Sequence, residues 1–155
     1  MFCTFVLFKG QDFYMIYYLK KYPISIMVIL IVIYLSFFRP PSVDIASNIP
    51  HLDKIVHICM YLGISLVLWW EFLRNHKVNA SFHRAWIGAC LVPILFSGAV
   101  ELLQEYCTSY RGGDWMDFVA NSVGAILGSL IGFYLLRPRM VKLESYIKGV
   151  FNLKK

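Results

Sequence analysis

No two cysteines in this chain are spaced as CxxC, and no HExxH, GxSxG, Walker or dinucleotide-binding motif occurs in its 155 residues. These absences leave zincin, serine-hydrolase and nucleotide chemistry without support. Cys3, Cys59, Cys90 and Cys107 are scattered, so neither a zinc site nor a disulfide framework is expected, and they read as small apolar fillers. Charge is scarce as well: 15% of the residues are charged, against 59% hydrophobic and 17% aromatic. That balance excludes an ordinary soluble domain of this size. The net charge of +6 does not point to nucleic acid, because the basic residues flank apolar runs instead of interleaving with exposed aromatics. Met1 to Phe8 has no basic region and no small-residue cleavage site, so no cleaved signal peptide is expected.

What is present is a set of long apolar runs. Tyr22 to Phe38, Ile55 to Leu73, Trp86 to Tyr106 and Trp115 to Leu136 are each long enough to approach or cross a hydrocarbon core of ~30 Å at ~1.5 Å per residue. Trp69-Trp70 reads as an interfacial anchor, and Pro93 predicts a kink in the third run. Phe13 to Leu19 suits an interfacial or extended first helix. Met140, Leu143, Ile147, Val150 and Phe151 line one face of a C-terminal helix with lysines opposite, which predicts a helix lying on the membrane. The expected fold is all-α: a polytopic membrane protein with about four transmembrane helices in a compact bundle and short interfacial helices at the termini. Residues 1–21 form an N-terminal arm, 22–136 the four-helix domain and 137–155 a basic amphipathic tail.

Lysine and arginine sort to one side. Lys9, Lys20, Lys21, Arg74, Lys77, Arg84, Arg137, Arg139, Lys142, Lys148, Lys154 and Lys155 flank one set of run ends, and only Arg39, Lys54 and Arg111 the other. The positive-inside rule then places both termini and the middle loop in the cytoplasm.

The polar residues near the sparsely basic ends form a pattern. Lys54, His57 and Tyr61 share a helical face, as do Ser97, Glu101 and Gln104. Asp114, Asp117, Asn121, Gly124, Gly128 and Gly132 fall within about 80° of one another on a helix. An acid in hydrocarbon costs on the order of 2.5 kcal/mol or more, so such stripes face protein or water. Counted from the helix ends, His57, Glu101, Asp117 and Asn121 lie within roughly 10 Å of one boundary. Simpler readings stand beside this one. Asp53 and Asp114 are natural N-caps, with Asp117 at the N3 position; Asn121 and Gln104 suit interhelical hydrogen bonds as well as a ligand; the glycines suit close packing. Glu101, more than a turn inside its run, needs a partner, with Arg111 and His57 the candidates. His57, Glu101, Asp114 and Asp117 are competent metal ligands but form no tight ligand motif, so no metal and no cofactor is expected.

In order, Asp53-Lys-x-x-His57-x-x-x-Tyr61, Glu101-x-x-Gln104 and Arg111-x-x-Asp114-x-x-Asp117-x-x-x-Asn121-x-x-Gly124 resemble the motifs of the VanZ-like family of bacterial membrane proteins. The resemblance runs from about His51 to Leu136. It implies a multi-pass protein of the bacterial cytoplasmic membrane whose named member is linked to teicoplanin resistance. Two functions follow as expectations. In the first, the layer recognises a lipid headgroup, a lipoglycopeptide or an envelope partner through Lys54, Tyr61, Gln104, Arg111, Asp114 and Asn121, with Asp53, Gly124, Gly128 and Gly132 structural. In the second, an enzyme acts on a phosphorylated or glycosylated envelope lipid, with His57 or Glu101 as acid or base and Asp117 orienting the histidine. Membrane lipids are the expected partners, with a lipoglycopeptide or envelope precursor as a further one.

Overall fold

The computed structural model describes residues 17–37, 51–76, 81–107 and 113–152, with side chains through Val150. Helix α1 spans Pro23–Phe37, α2 spans Leu52–His76, α3 spans Phe82–Cys107, α4 spans Trp115–Ile131, and α5 spans Arg137–Asn152. Two π-helical turns interrupt this order, Ile87–Leu91 within α3 and Gly132–Leu136 between α4 and α5. Among the described residues, three helices are long and apolar enough to cross a membrane: Leu52–His76, Phe82–Cys107 and Trp115–Val150. At 15 residues, α1 is apolar but shorter. The chain is a helical membrane bundle.

Its burial pattern is inverted relative to a soluble protein. Met27, Leu30, Leu95 and Leu102 are exposed, while Ser25, Ser65, Glu71, Ser97, Gln104, Asn121 and Ser129 are buried. In hydrocarbon, apolar side chains gain nothing by turning inward, whereas polar ones must find partners there.

The glycine stripe sets the closest contact in the bundle. A Cβ at Gly124 would stand 2.3 Å from the Ile58 carbonyl oxygen, at Gly128 2.6 Å from that of Leu62, and at Gly132 2.4 Å from the Trp69 ring. Backbone of α4 thus lies directly on α2, an approach open only to residues without a side chain. Trp69 is accordingly 1% exposed, packed with Leu73, Ala85, Ala89 and Phe133. The interfacial role expected for it is corrected: the glycine turn opposite leaves room for an indole in the core. Trp70 stacks against the Arg74 guanidinium, 4.8 Å from its ring centre.

Pro93 acts through the hydrogen-bond ladder. It has no N–H to give the carbonyl of Ala89 one turn back, and the π turn Ile87–Leu91 ends two residues before it. The Ser129 hydroxyl of α4 donates to that Ala89 carbonyl at 3.0 Å.

The N-terminus of α1 is also completed from another helix. Pro23 needs no acceptor, and Ile26 N–H makes the first intrahelical bond, to Tyr22. The two N–H groups between them, of Ile24 and Ser25, donate to the Glu71 carboxylate of α2 at 3.1 and 2.9 Å, and the Ser25 hydroxyl adds a third bond at 2.6 Å. Glu71 is fully buried and supplies the negative charge that a helix N-terminus favours.

The C-terminal amphipathic segment runs on from α4 through the π turn without a break, as one continuous helix of 36 residues, Trp115–Val150. Its face bearing Met140 and Ile147 borders Leu73 and Arg74 of α2. Lys21 meets His76 at this same end, at 3.2 Å.

Candidate functional site

At the opposite end, α2, α3 and α4 bring their polar stripes together. Asp114 caps α4 by accepting Met116 N–H at 2.8 Å, which fixes where the helix starts and so where Asp117 and Asn121 point. Asp53 lies one residue inside α2, which is entered through His51 at φ 60°, so it is a first-turn acid and not the cap.

Lys54 ties the helix ends together. Its ammonium meets Asp114 and Asp117 at 2.5 Å each and Asp53 at 3.1 Å, so all three of its donors are taken by carboxylates. Beside this ammonium, and with the Met116 N–H bonded to it, the Asp114 carboxyl is held below its ordinary range. Lys54, one of the residues expected to contact a headgroup, is therefore engaged in joining α2 to α4.

Deeper in, His57 sits between two residues of α4. Its Nδ1 lies 3.0 Å from Asn121 Oδ1, and its Nε2 lies 3.4 Å from Asp117 Oδ2. Asn121 Nδ2 donates to Ser97 Oγ at 2.8 Å and approaches Glu101 Oε1 at 3.4 Å. Glu101 also accepts Asp114 N–H at 3.1 Å, which links α3 to the start of α4. Ligand atoms of His57, Glu101 and Asp117 all lie within 4.8 Å of one another, and all three side chains are buried.

Gln104 points elsewhere. Its amide donates to the Ser36 carbonyl at 2.8 Å and closes the C-terminal end of α1 onto α3. Tyr61 is 1% exposed, and its hydroxyl has no hydrogen-bond partner among the described residues. Arg111, expected opposite Glu101, lies outside the described residues.

A cavity of about 350 Å³ opens between α3 and α4 and reaches Glu101. Leu102, Tyr106, Trp115 and Phe118 form its apolar wall, with Trp115 78% and Tyr106 83% exposed. The sequence pattern did not disclose this groove. Its apolar residues lie on two helices and read one by one as lipid-facing, and Gly98, where an added Cβ would meet the Phe118 ring at 3.4 Å, carries no signal alone.

A multi-helix membrane protein with a buried polar layer where α2, α3 and α4 meet is the class this geometry defines. The family model described as VanZ/LLP1 matches residues 5–137, and the chain belongs to the VanZ/LLP1 family. A relative from Schizosaccharomyces pombe (strain 972 / ATCC 24843), "Uncharacterized protein C11E3.10", is 29% identical over 134 residues, covering 84% of this chain and 75% of the relative. No solved structure matches the chain significantly.

Proposed function

We propose that this chain recognises a membrane lipid by its headgroup, taking it from the bilayer through the groove between α3 and α4. The observation that carries the reading is the groove itself: apolar residues of α3 and α4 line it together with Glu101 of the buried polar layer, the mixed lining an amphipathic ligand requires. A lipid is preferred over a lipoglycopeptide because similarity to a fission-yeast chain favours a ligand common to different kinds of membrane. In the proposed orientation both termini and the basic end face the cytoplasm, and the layer faces the outer leaflet of the membrane, a bacterial cytoplasmic membrane if the family's named member is the guide.

The enzyme reading is the second one, and the convergence of His57, Glu101 and Asp117 beside the groove favours it. His57 is not among the residues that line the groove, however, and its Nδ1 is held by Asn121 within the buried layer.

Native mass spectrometry of the full chain in detergent, with phosphatidylglycerol, phosphatidylethanolamine and phosphatidic acid offered in turn, tests the proposal. Wild-type protein should retain one lipid class preferentially. Gly98→Leu, which fills the groove against Phe118, should lose that preference, while Gly63→Leu, placed where an added Cβ meets nothing within 4 Å among the described residues, should keep it. Equal retention of all lipids by wild type and Gly98→Leu would sink the reading. Altered lipid in extracts of cells expressing the wild type, absent with His57→Gln, would replace it with the enzyme.

A further inference from the structure

We infer that His57, Glu101 and Asp117 form a binding site for one divalent transition-metal ion of the zinc or manganese class. The expectation of no metal rested on the lack of a local ligand motif, and this site draws one ligand from each of three helices.

The hydrogen bonds around His57 carry the argument. Asn121 directs its NH₂ to Ser97 and Glu101, so its carbonyl oxygen faces His57 Nδ1, which therefore bears the ring proton. That leaves Nε2 opposite a carboxylate oxygen of Asp117 at 3.4 Å. A charge-assisted hydrogen bond would draw these atoms to about 2.7–2.9 Å. Two ligands about 2.0–2.1 Å from one tetrahedral ion stand ~3.4 Å apart. The Glu101 carboxylate lies within 4.8 Å of both, a distance that a side-chain adjustment closes.

Each ligand is also held from behind, as metal ligands are. Asn121 fixes the His57 ring, Lys54 holds the other oxygen of Asp117, and Asp114 N–H holds Glu101. A second observation lies one turn deeper on α2. The Tyr61 hydroxyl, buried one turn below His57, meets no hydrogen-bond partner among the described residues and would donate to an oxygen bound on the ion. The charge of this end in the sequence agrees: Asp44, Asp53, Glu101, Glu105, Asp114 and Asp117 outnumber Arg39, Lys54 and Arg111. One imidazole with two carboxylates suits zinc, manganese or iron better than calcium or magnesium. Only the role of the ion rests on the lipid reading. With Lys54 consumed by carboxylates, the ion supplies the positive charge that a phosphate headgroup needs.

The test is titration of the chelator-treated full chain in detergent with Zn²⁺ and, separately, Mn²⁺, followed by calorimetry and by metal analysis after desalting. Wild-type protein should bind one equivalent of at least one ion. His57→Gln and Glu101→Gln should weaken binding by well over tenfold, Asn121→Ala by about 10–100-fold, and Glu144→Gln on α5 not at all. Circular dichroism confirms the fold of each variant. The inference falls if folded wild type binds neither ion saturably, or if His57→Gln and Glu101→Gln bind as wild type does. Lipid retention is measured with and without chelator on the same samples. Retention without any ion binding overturns the metal site and leaves the lipid reading standing, whereas ion binding with lipid retention unchanged by chelator supports the site and removes only its role in holding phosphate.

Discussion

Replacing Glu71 should free α1 from the bundle without unfolding the rest. Glu71→Ala removes the acceptors of two backbone N–H groups, the buried one of Ser25 and the half-buried one of Ile24. Each stranded donor costs about 1–3 kcal/mol, so the loss is about 2–6 kcal/mol. The Ser25 hydroxyl can rotate to another acceptor and adds little. Glu71→Gln keeps one of its two oxygens and should cost about 1–3 kcal/mol. Val32 is 3% exposed, packed with Tyr61 and Ile64, and a cysteine there is covered while α1 is docked. In an otherwise cysteine-free chain in detergent, the rate at which Val32→Cys reacts with a maleimide reports the fraction of molecules with α1 lifted. At about 1.4 kcal/mol per factor of ten, Glu71→Ala should raise that rate roughly thirtyfold or more, and Glu71→Gln about fivefold or more. Equal rates in all three proteins would refute the idea that Glu71 holds the start of α1.

Ser129→Ala should strand the Ala89 carbonyl that Pro93 cannot serve, at a cost of about 1–3 kcal/mol in detergent unfolding, and Ser129→Thr should recover much of it. Gly128→Ala places a methyl 2.6 Å from the Leu62 carbonyl oxygen and should destabilise by at least about 1–3 kcal/mol, whereas Gly63→Ala should be neutral or better; the two melting temperatures decide it. The depressed Asp114 carboxyl contributes stability that is complete above its unfolded range and is lost as pH falls through its folded one. Asp114→Asn keeps a capping oxygen but not the charge facing Lys54, so its melting deficit at pH 7 should shrink in scans taken below about pH 4. Cysteines at Ser47 and Asn79 should label from opposite sides of the membrane, with Ser47 reached from outside intact cells; labelling of Asn79 from outside would invert the proposed orientation.

Much of the bundle was legible because bilayer thickness and backbone hydrogen bonding leave few options for apolar runs of this length. The layer of His57, Glu101, Asp117 and Asn121 was legible for a related reason: polar groups inside such runs stand out, and helical period assigns their faces. Partners across helices were not legible. Nothing local shows that Lys54 would be ringed by Asp53, Asp114 and Asp117, or that Glu71, 47 positions from Ile24, caps α1. Trp69 misled for the same reason, since a tryptophan near a span end resembles an anchor until the glycine opposite it is placed. The continuity of α4 and α5 was hidden by the change from an apolar to an amphipathic pattern, which marks a change of surroundings and not a break in the backbone.

The close seating of α4 on α2 has a consequence for biosynthesis. These helices are separated in sequence by α3, so the tightest pair in the bundle cannot form as the chain emerges in order. His57 enters the membrane first, Glu101 next, and Asp117 with Asn121 last. Until the final helix is inserted, His57 and Glu101 lack the partners that α4 brings, and the earlier helices make only a loosely joined hairpin. A chain stalled before residue 115 would therefore be recognisable to membrane quality control by its unpaired polar groups, and the glycine seam is the step that hides them.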